Sequence, residues 1–174
     1  MEKEKIKLHL GCRNDILEGY FNIDTDDIEF PAPLDEIKAQ FVQMDVMDVD
    51  KHFPVGEIDE IVSRHLFEHL THEQITILLL KLWRLLKPRG VLEITVPNFY
   101  HLYDTYQEQF LKGDFSNLDV LHSRFFGIEE EGFHKTIWNK AIGTFYLTRE
   151  GFFEDPIVLY GDNVNEITFK TKKK

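Results

Sequence analysis

The sequence predicts an α/β fold: a doubly wound, mostly parallel sheet with helices on both faces and an antiparallel hairpin near the C-terminus. Three observations carry this. Strand-like apolar runs alternate with crossovers from Ile6 to Val96, the order of repeated strand–crossover units. Within Ile6–Asp24, an alternating apolar run (Ile6, Leu8, Leu10) meets Gly11, passes a short polar turn, and ends in a second apolar run closed by an acid. That is the outline of a nucleotide-binding crossing. Finally, Ile157–Tyr160 and Glu166–Lys170 flank Gly161-Asp162-Asn163, a hairpin signature.

In chain order, Ile6 to Leu10 is the first strand and Tyr20 to Ile23 the second. Roughly ten residues join them, near the lower limit for a parallel crossover. A full helix does not fit, so a loop or single turn is predicted around Asn14–Glu18. Thr25–Gln40 is acidic and interrupted by Pro31 and Pro33, with Leu34–Ala39 as a short helix. Phe41–Asp45 is a third strand, again ending in an acid, and Met47–Gly56 reads as loop. Ile58–His65 is a fourth strand. Thr71–Lys87 is the clearest helix, with Ile75, Leu78, Leu79, Leu82 and Leu86 on one stripe. Thr71 with Gln74 makes a capping-box pattern, and Pro88-Arg89-Gly90 is expected to stop the helix. Val91–Val96 is a fifth strand and Tyr100–Lys112 an aromatic-rich helix. Asn117–Asp155 has no clear period, and Thr148–Phe153 is predicted as a short capped helix.

Composition bounds the function. The 174 residues suit one domain, 1–174, with a real core. A net charge of −11 disfavours a nucleic-acid partner, which needs clustered Lys and Arg; Lys170 and Lys172–Lys174 form a terminal tail. The single cysteine, Cys12, excludes an internal disulfide and suits a reducing cytoplasm. The leading MEKEKIK has no apolar signal core, and the longest apolar run, Ile75–Leu86, is broken by Lys81 and Arg84. Neither a secretion signal nor a membrane span is expected, and a cytoplasmic setting is.

Several segments together resemble the class I S-adenosylmethionine-dependent methyltransferases, above all a small bacterial and phage group whose first motif reads roughly L-H-L-G-C-G. The residues that carry this are Leu8-His9-Leu10-Gly11-Cys12, Asn22-Ile23-Asp24, Asp59-Glu60-Ile61, His65-Leu66-Phe67-Glu68-His69-Leu70, Leu85-Leu86-Lys87-Pro88-Arg89-Gly90 and Ile94-Thr95-Val96-Pro97-Asn98. Phe126–His134 and the final hairpin match more loosely. The resemblance implies a Rossmann-like, seven-stranded sheet with its last strand antiparallel and S-adenosylmethionine across the carboxyl ends of the first strands. Gly11, with Cys12 and Arg13, would lie against the methionine and ribose portion. Asp24 would accept from the ribose diol, Asp45 from the adenine amino group, and the Val46 backbone would donate to a ring nitrogen. Arg64 and His65 would sit near the methionine and the transferring methyl. The acceptor, a small molecule or glycan, would be met by an insertion within 99–155.

Arg13 stands where the group usually has glycine. If the backbone there adopts positive φ, a side chain costs about 1–2 kcal/mol. Arg13 then either turns outward or pairs with the cofactor carboxylate, or it fills the pocket and leaves a binding module without catalysis. An oxygen acceptor needs a base, and His65 and His134 are the candidates. Cys12 lacks an adjacent base and reads as a packed residue. His65-Leu66-Phe67-Glu68-His69 also spells the inverted zinc-peptidase signature, but it begins where a strand ends, so its histidines need not share a helix face; no metal is expected.

Overall fold

The computed structural model describes residues 5–25, 40–113, 126–128, 132–161 and 165–174. Its centre is a seven-stranded sheet in the order β3-β2-β1-β4-β5-β9-β8. The strands are β1 (Lys7–Leu10), β2 (Phe21–Asp24), β3 (Gln40–Gln43), β4 (Ile58–Arg64), β5 (Leu86–Pro97), β8 (Ile157–Tyr160) and β9 (Glu166–Lys172). A two-stranded ribbon, β6 (Gly127–Ile128) and β7 (Gly132–Phe133), stands apart. The pairs β1–β2, β1–β4, β2–β3 and β4–β5 are parallel, while β9 runs antiparallel to both β5 and β8. This is the expected mostly parallel α/β sheet with its antiparallel hairpin, and helices surround it. Among the described residues, no helix is long and apolar enough to cross a membrane.

Alternation along the strands decides what each face does. Leu8 and Leu10, Ile61, Leu92, Ile94, Val96, Ile167 and Phe169 point one way, all fully buried. Helix α2 (His72–Leu85) lays Ile75, Leu78, Leu79, Leu82 and Leu85 into the same core. Helix α4 (Lys140–Thr148) joins it through Gly143, where an added Cβ would come within 2.2 Å of the Phe169 ring. Trp138, 1% exposed, closes the layer by packing on Phe67, Tyr146 and Phe169. The intervening residues are more polar: Lys7 faces Glu60, Lys170 meets Glu93 at 2.8 Å, and Thr95 bonds Thr168 at 2.8 Å.

The β1–β2 crossover is a loop, as its length requires, and buried polar chemistry replaces a helix there. Asn22 accepts from the Leu17 amide at 2.9 Å and donates to the Leu17 and Tyr20 carbonyls at 3.1 Å each. His9 Nδ1 meets the same Asn22 Oδ1 at 3.1 Å. One fully buried side chain thus satisfies the loop's backbone groups, which would otherwise be costly.

Four expectations need correction or lie elsewhere. Met47–Gly56 is not simply loop: a 3₁₀ turn, Val46–Asp48, leads into α1 (Val49–His52), and only the residues after it are loop. Asp45 caps that turn, Val49 is buried, and Lys81 of α2 reaches Asp50 at 2.7 Å. Helix α2 ends at Leu85, and Pro88-Arg89-Gly90 is not a separate stop but lies within β5 at a register shift, because Leu86 is already extended and pairs with Ile58. Thr148–Phe153 is not a helix start. Asn139 caps α4 instead, accepting from Ile142 N at 2.9 Å, and Gly151 at φ 72° belongs to the turn that follows. The predicted helix Leu34–Ala39 lies outside the described residues. The long helix α2 carries its capping box at Thr71 and Gln74, as expected. Helix α3 (Phe99–Leu111) leaves the carboxyl end of β5.

Candidate active site

The strand order turns back between β1 and β4, so their carboxyl ends flank the crevice where open α/β sheets take ligands. Gly11 follows β1 with φ 65°, and a Cβ there would meet the Leu66 side chain at 3.0 Å. Glycine is therefore required by backbone conformation and by Leu66, a protein neighbour. The Gly11 and Cys12 amides both donate to the Ile23 carbonyl, at 2.8 and 3.1 Å, which ties the turn to β2. Arg13 has φ 43° and an exposed side chain. Its amide donates to Asp24 Oδ2 at 2.8 Å, and the Thr25 amide donates to Oδ1 at 2.8 Å. Both carboxylate oxygens are thus oriented by backbone amides, Oδ2 by Arg13 and Oδ1 by Thr25. Asp24 is half-buried at the strand end. Such a carboxylate fits a vicinal diol such as that of ribose.

Asp45 lies two residues beyond Gln43, the cross-strand partner of Asp24, and the Met44 amide donates to the Asp24 carbonyl at 2.8 Å. The two acids therefore sit on neighbouring strand ends. Asp45 Oδ1 accepts from Met47 N at 2.8 Å while the carboxylate stays exposed; Val46 is buried beneath it. Cys12 is 1% exposed, and burial, then the charge of Asp24, pushes its thiol up to about 12. A thiol held neutral in this way is packing, not a nucleophile.

At the end of β4, Arg64 reaches back to Asp15 at 2.7 Å and pins the β1–β2 loop. Asp15 also stands 3.9 Å from His9 Nε2, and burial lowers the pKa of that histidine despite Asn22. His65 follows with φ 53°. Its Nδ1 meets Glu68 Oε1 at 3.2 Å and its Nε2 meets Glu166 Oε1 at 3.1 Å. The Glu68 hydrogen bond raises the His65 pKa above the ordinary value, against burial and with added help from both carboxylate charges. The sequence reading missed Glu166, which β9 delivers from 101 positions away. No local motif encodes that meeting; only the antiparallel pairing of β5 with β9 does.

His134 lies near Glu68 and His69, its ring edge-on to that of His69 at 4.9 Å between centroids. Backbone bonds hold this segment in place: Lys135 N and Thr136 N both donate to the Glu68 carbonyl, at 2.7 and 3.1 Å. Helix α3 offers rings outward. Tyr100 and Tyr103 are exposed, with Phe99 stacked on Tyr103 and Tyr106 on Phe110. Phe99 and Tyr106 are half-buried, and Leu102 between them is buried.

Residues 21–94 match the family described as methyltransferase domain. No curated protein matches the chain. Among solved structures, the chain resembles a SAM-dependent methyltransferase from Archaeoglobus fulgidus, with 18% identity and TM-score 0.68 over 97% of this chain and 86% of that one. It resembles a SAM-dependent methyltransferase from Methanosarcina mazei at 15% identity and TM-score 0.60, over 98% and 93% of the two chains. It also resembles the Burkholderia thailandensis 1,6-didemethyltoxoflavin-N1-methyltransferase, solved with bound 1,6-didemethyltoxoflavin and S-adenosylhomocysteine, at 12% identity and TM-score 0.65 over 99% and 72% of the two chains. At these identities the likeness is one of fold: the sheet is that of the Rossmann-like methyltransferases. Fold and matched segment together support a methyltransferase enzyme with S-adenosylmethionine as cofactor.

Proposed function

We propose that this protein transfers a methyl group from S-adenosylmethionine to a small-molecule or glycan acceptor, at the carboxyl ends of β1 to β4. The observation that carries the reading is Asp24, a strand-end carboxylate whose two oxygens are aimed by the Arg13 and Thr25 amides. Asp24 would take the ribose hydroxyls, Asp45 the adenine amino group, and the Val46 amide a ring nitrogen. The turn Gly11-Cys12-Arg13 would face the methionine portion through its backbone, with Arg64 and His65 beside it at the end of β4. When bound, the cofactor supplies an electrophilic methyl on a sulfonium, so the chain contributes mainly by positioning.

The histidines divide. Both ring nitrogens of His65 are engaged by carboxylates, an arrangement that holds the end of β4 against β9 and does not leave a lone pair for an acceptor proton. We read His65 as a positioning residue. His134 belongs to a group with Glu68 and His69, so it is not an isolated base. The exposed rings of α3 supply a surface for a planar or sugar acceptor. A zinc-peptidase reading would need His65 and His69 on one ion, but His65 is turned to Glu68 and Glu166.

The rival reading is a binding module whose site Arg13 has filled. Arg13 is exposed and offers Asp24 its amide, which favours the enzyme. Isothermal titration with S-adenosylmethionine and S-adenosylhomocysteine decides. The enzyme predicts saturable one-site binding of both; no heat with either contradicts it.

A further inference from the structure

We propose that Glu68, His69 and His134 form a site for a divalent transition-metal ion of the zinc class, bound by one carboxylate oxygen and two imidazole nitrogens. Each of the three side chains offers one donor atom, and these atoms all lie within 4.8 Å of one another. Glu68 is only 2% exposed. Its Oε1 is held by His65, whereas Oε2, like Nδ1 of His69, is buried without a hydrogen-bond partner among the described residues. A buried carboxylate oxygen left unpaired is costly, and one cation satisfies it together with the neighbouring imidazole.

The frame around these ligands is built in the way metal sites require. The Glu68 carbonyl accepts from Lys135 and Thr136, Thr136 Oγ1 donates to the Phe67 carbonyl at 3.2 Å, and Trp138 Nε1 donates to Thr136 Oγ1 at 3.1 Å. These bonds fix the chain after His134 against the turn that carries Glu68 and His69. His65 takes the outer role, orienting the ligating carboxylate through its second oxygen. A mixed imidazole and carboxylate set suits zinc and its neighbours, not magnesium or calcium, which prefer oxygen alone. Tetrahedral zinc with bonds of about 2.0–2.1 Å puts its ligands roughly 3.3 Å apart, so no pair of donors needs to close by more than about 1.5 Å on binding. Three protein ligands leave a fourth position for water or an acceptor oxygen. The sequence signature pointed at His65 and His69; the fold replaces His65 with His134.

Zinc is titrated into chelator-treated protein in competition with a chromogenic chelator, and cobalt is titrated with its visible absorption as readout. One equivalent is expected, with intense tetrahedral cobalt bands. Glu68→Gln and His134→Ala should each weaken binding by more than about tenfold, as loss of even outer-sphere partners can. Circular dichroism reports folding of each variant. If Glu68→Gln does not fold, His134→Ala, at a half-buried ring, carries the test. Substoichiometric binding by the wild type, or unchanged affinity in folded His134→Ala, overturns the proposal. Neither readout depends on methyl transfer.

Discussion

The amide of Arg13 donates to Asp24 Oδ2 at 2.8 Å, so the turn after β1 aims the carboxylate that closes β2. Asp24→Ala removes that acceptor and, on our reading, the ribose contact. Two lost hydrogen bonds to a charged acceptor, at about 1.5–3 kcal/mol each, predict at least a hundredfold weaker S-adenosylhomocysteine binding, roughly. Titration calorimetry on the variant checks it; unchanged affinity means the carboxylate does not touch the ligand.

Arg13→Gly separates the side chain from the backbone at the same position. Glycine keeps the amide and relieves about 1–2 kcal/mol of left-handed strain, offset by about 0.4–1 kcal/mol of unfolded-state entropy. The variant should be as stable as the wild type or up to about 1.6 kcal/mol more so, with cofactor affinity retained. Urea denaturation and calorimetry give both numbers. A large loss of affinity would show that the guanidinium binds the ligand.

Asn22→Ala strips the β1–β2 loop of its buried partner. It leaves the Leu17 amide and carbonyl and the His9 ring without their bonds. At about 1–3 kcal/mol for each buried group stranded, a loss of at least about 2 kcal/mol is expected in denaturant unfolding. A loss under about 0.5 kcal/mol would show that the loop is held otherwise.

Cys12 gives a pH dependence of known sign. Its folded pKa is raised to about 12, so the thiol's contribution to stability is full below the unfolded value of about 8.5 and is lost as pH rises toward the folded one. Stability should fall with pH above about 8.5, by at most about 1.4 kcal/mol per unit, and Cys12→Ala should flatten that slope. Native protein should also label with a thiol reagent at neutral pH far more slowly than urea-unfolded protein, since burial both shields the thiol and keeps it protonated. Equal rates would contradict the burial.

Local pattern made much of this fold legible. The stripe from Ile75 to Leu82 and the Thr71–Gln74 box set α2, and alternation set β1, β4 and β5. The short crossover correctly excluded a helix before β2. Pattern failed where tertiary contact outweighed propensity. Gly143 sits inside α4 because the helix lies directly on Phe169, so the residue that breaks the helical signal is the one the packing demands. Within the expected loop Met47–Gly56, the stretch up to His52 became helical because Lys81 and the core reach it. In the site, Asp24 and Asp45 were readable as acids closing apolar runs. Glu166 at His65, and His134 at Glu68, were not, since long-range pairing brings them there.

The most direct test of the account is a crystal structure grown with S-adenosylhomocysteine. Ligand density is expected at the carboxyl ends of β1 to β3, with the ribose on Asp24 and the adenine beside Asp45. Well-ordered ligand bound elsewhere, or a site between Gly11 and Asp24 that stays closed at saturating ligand, would contradict it.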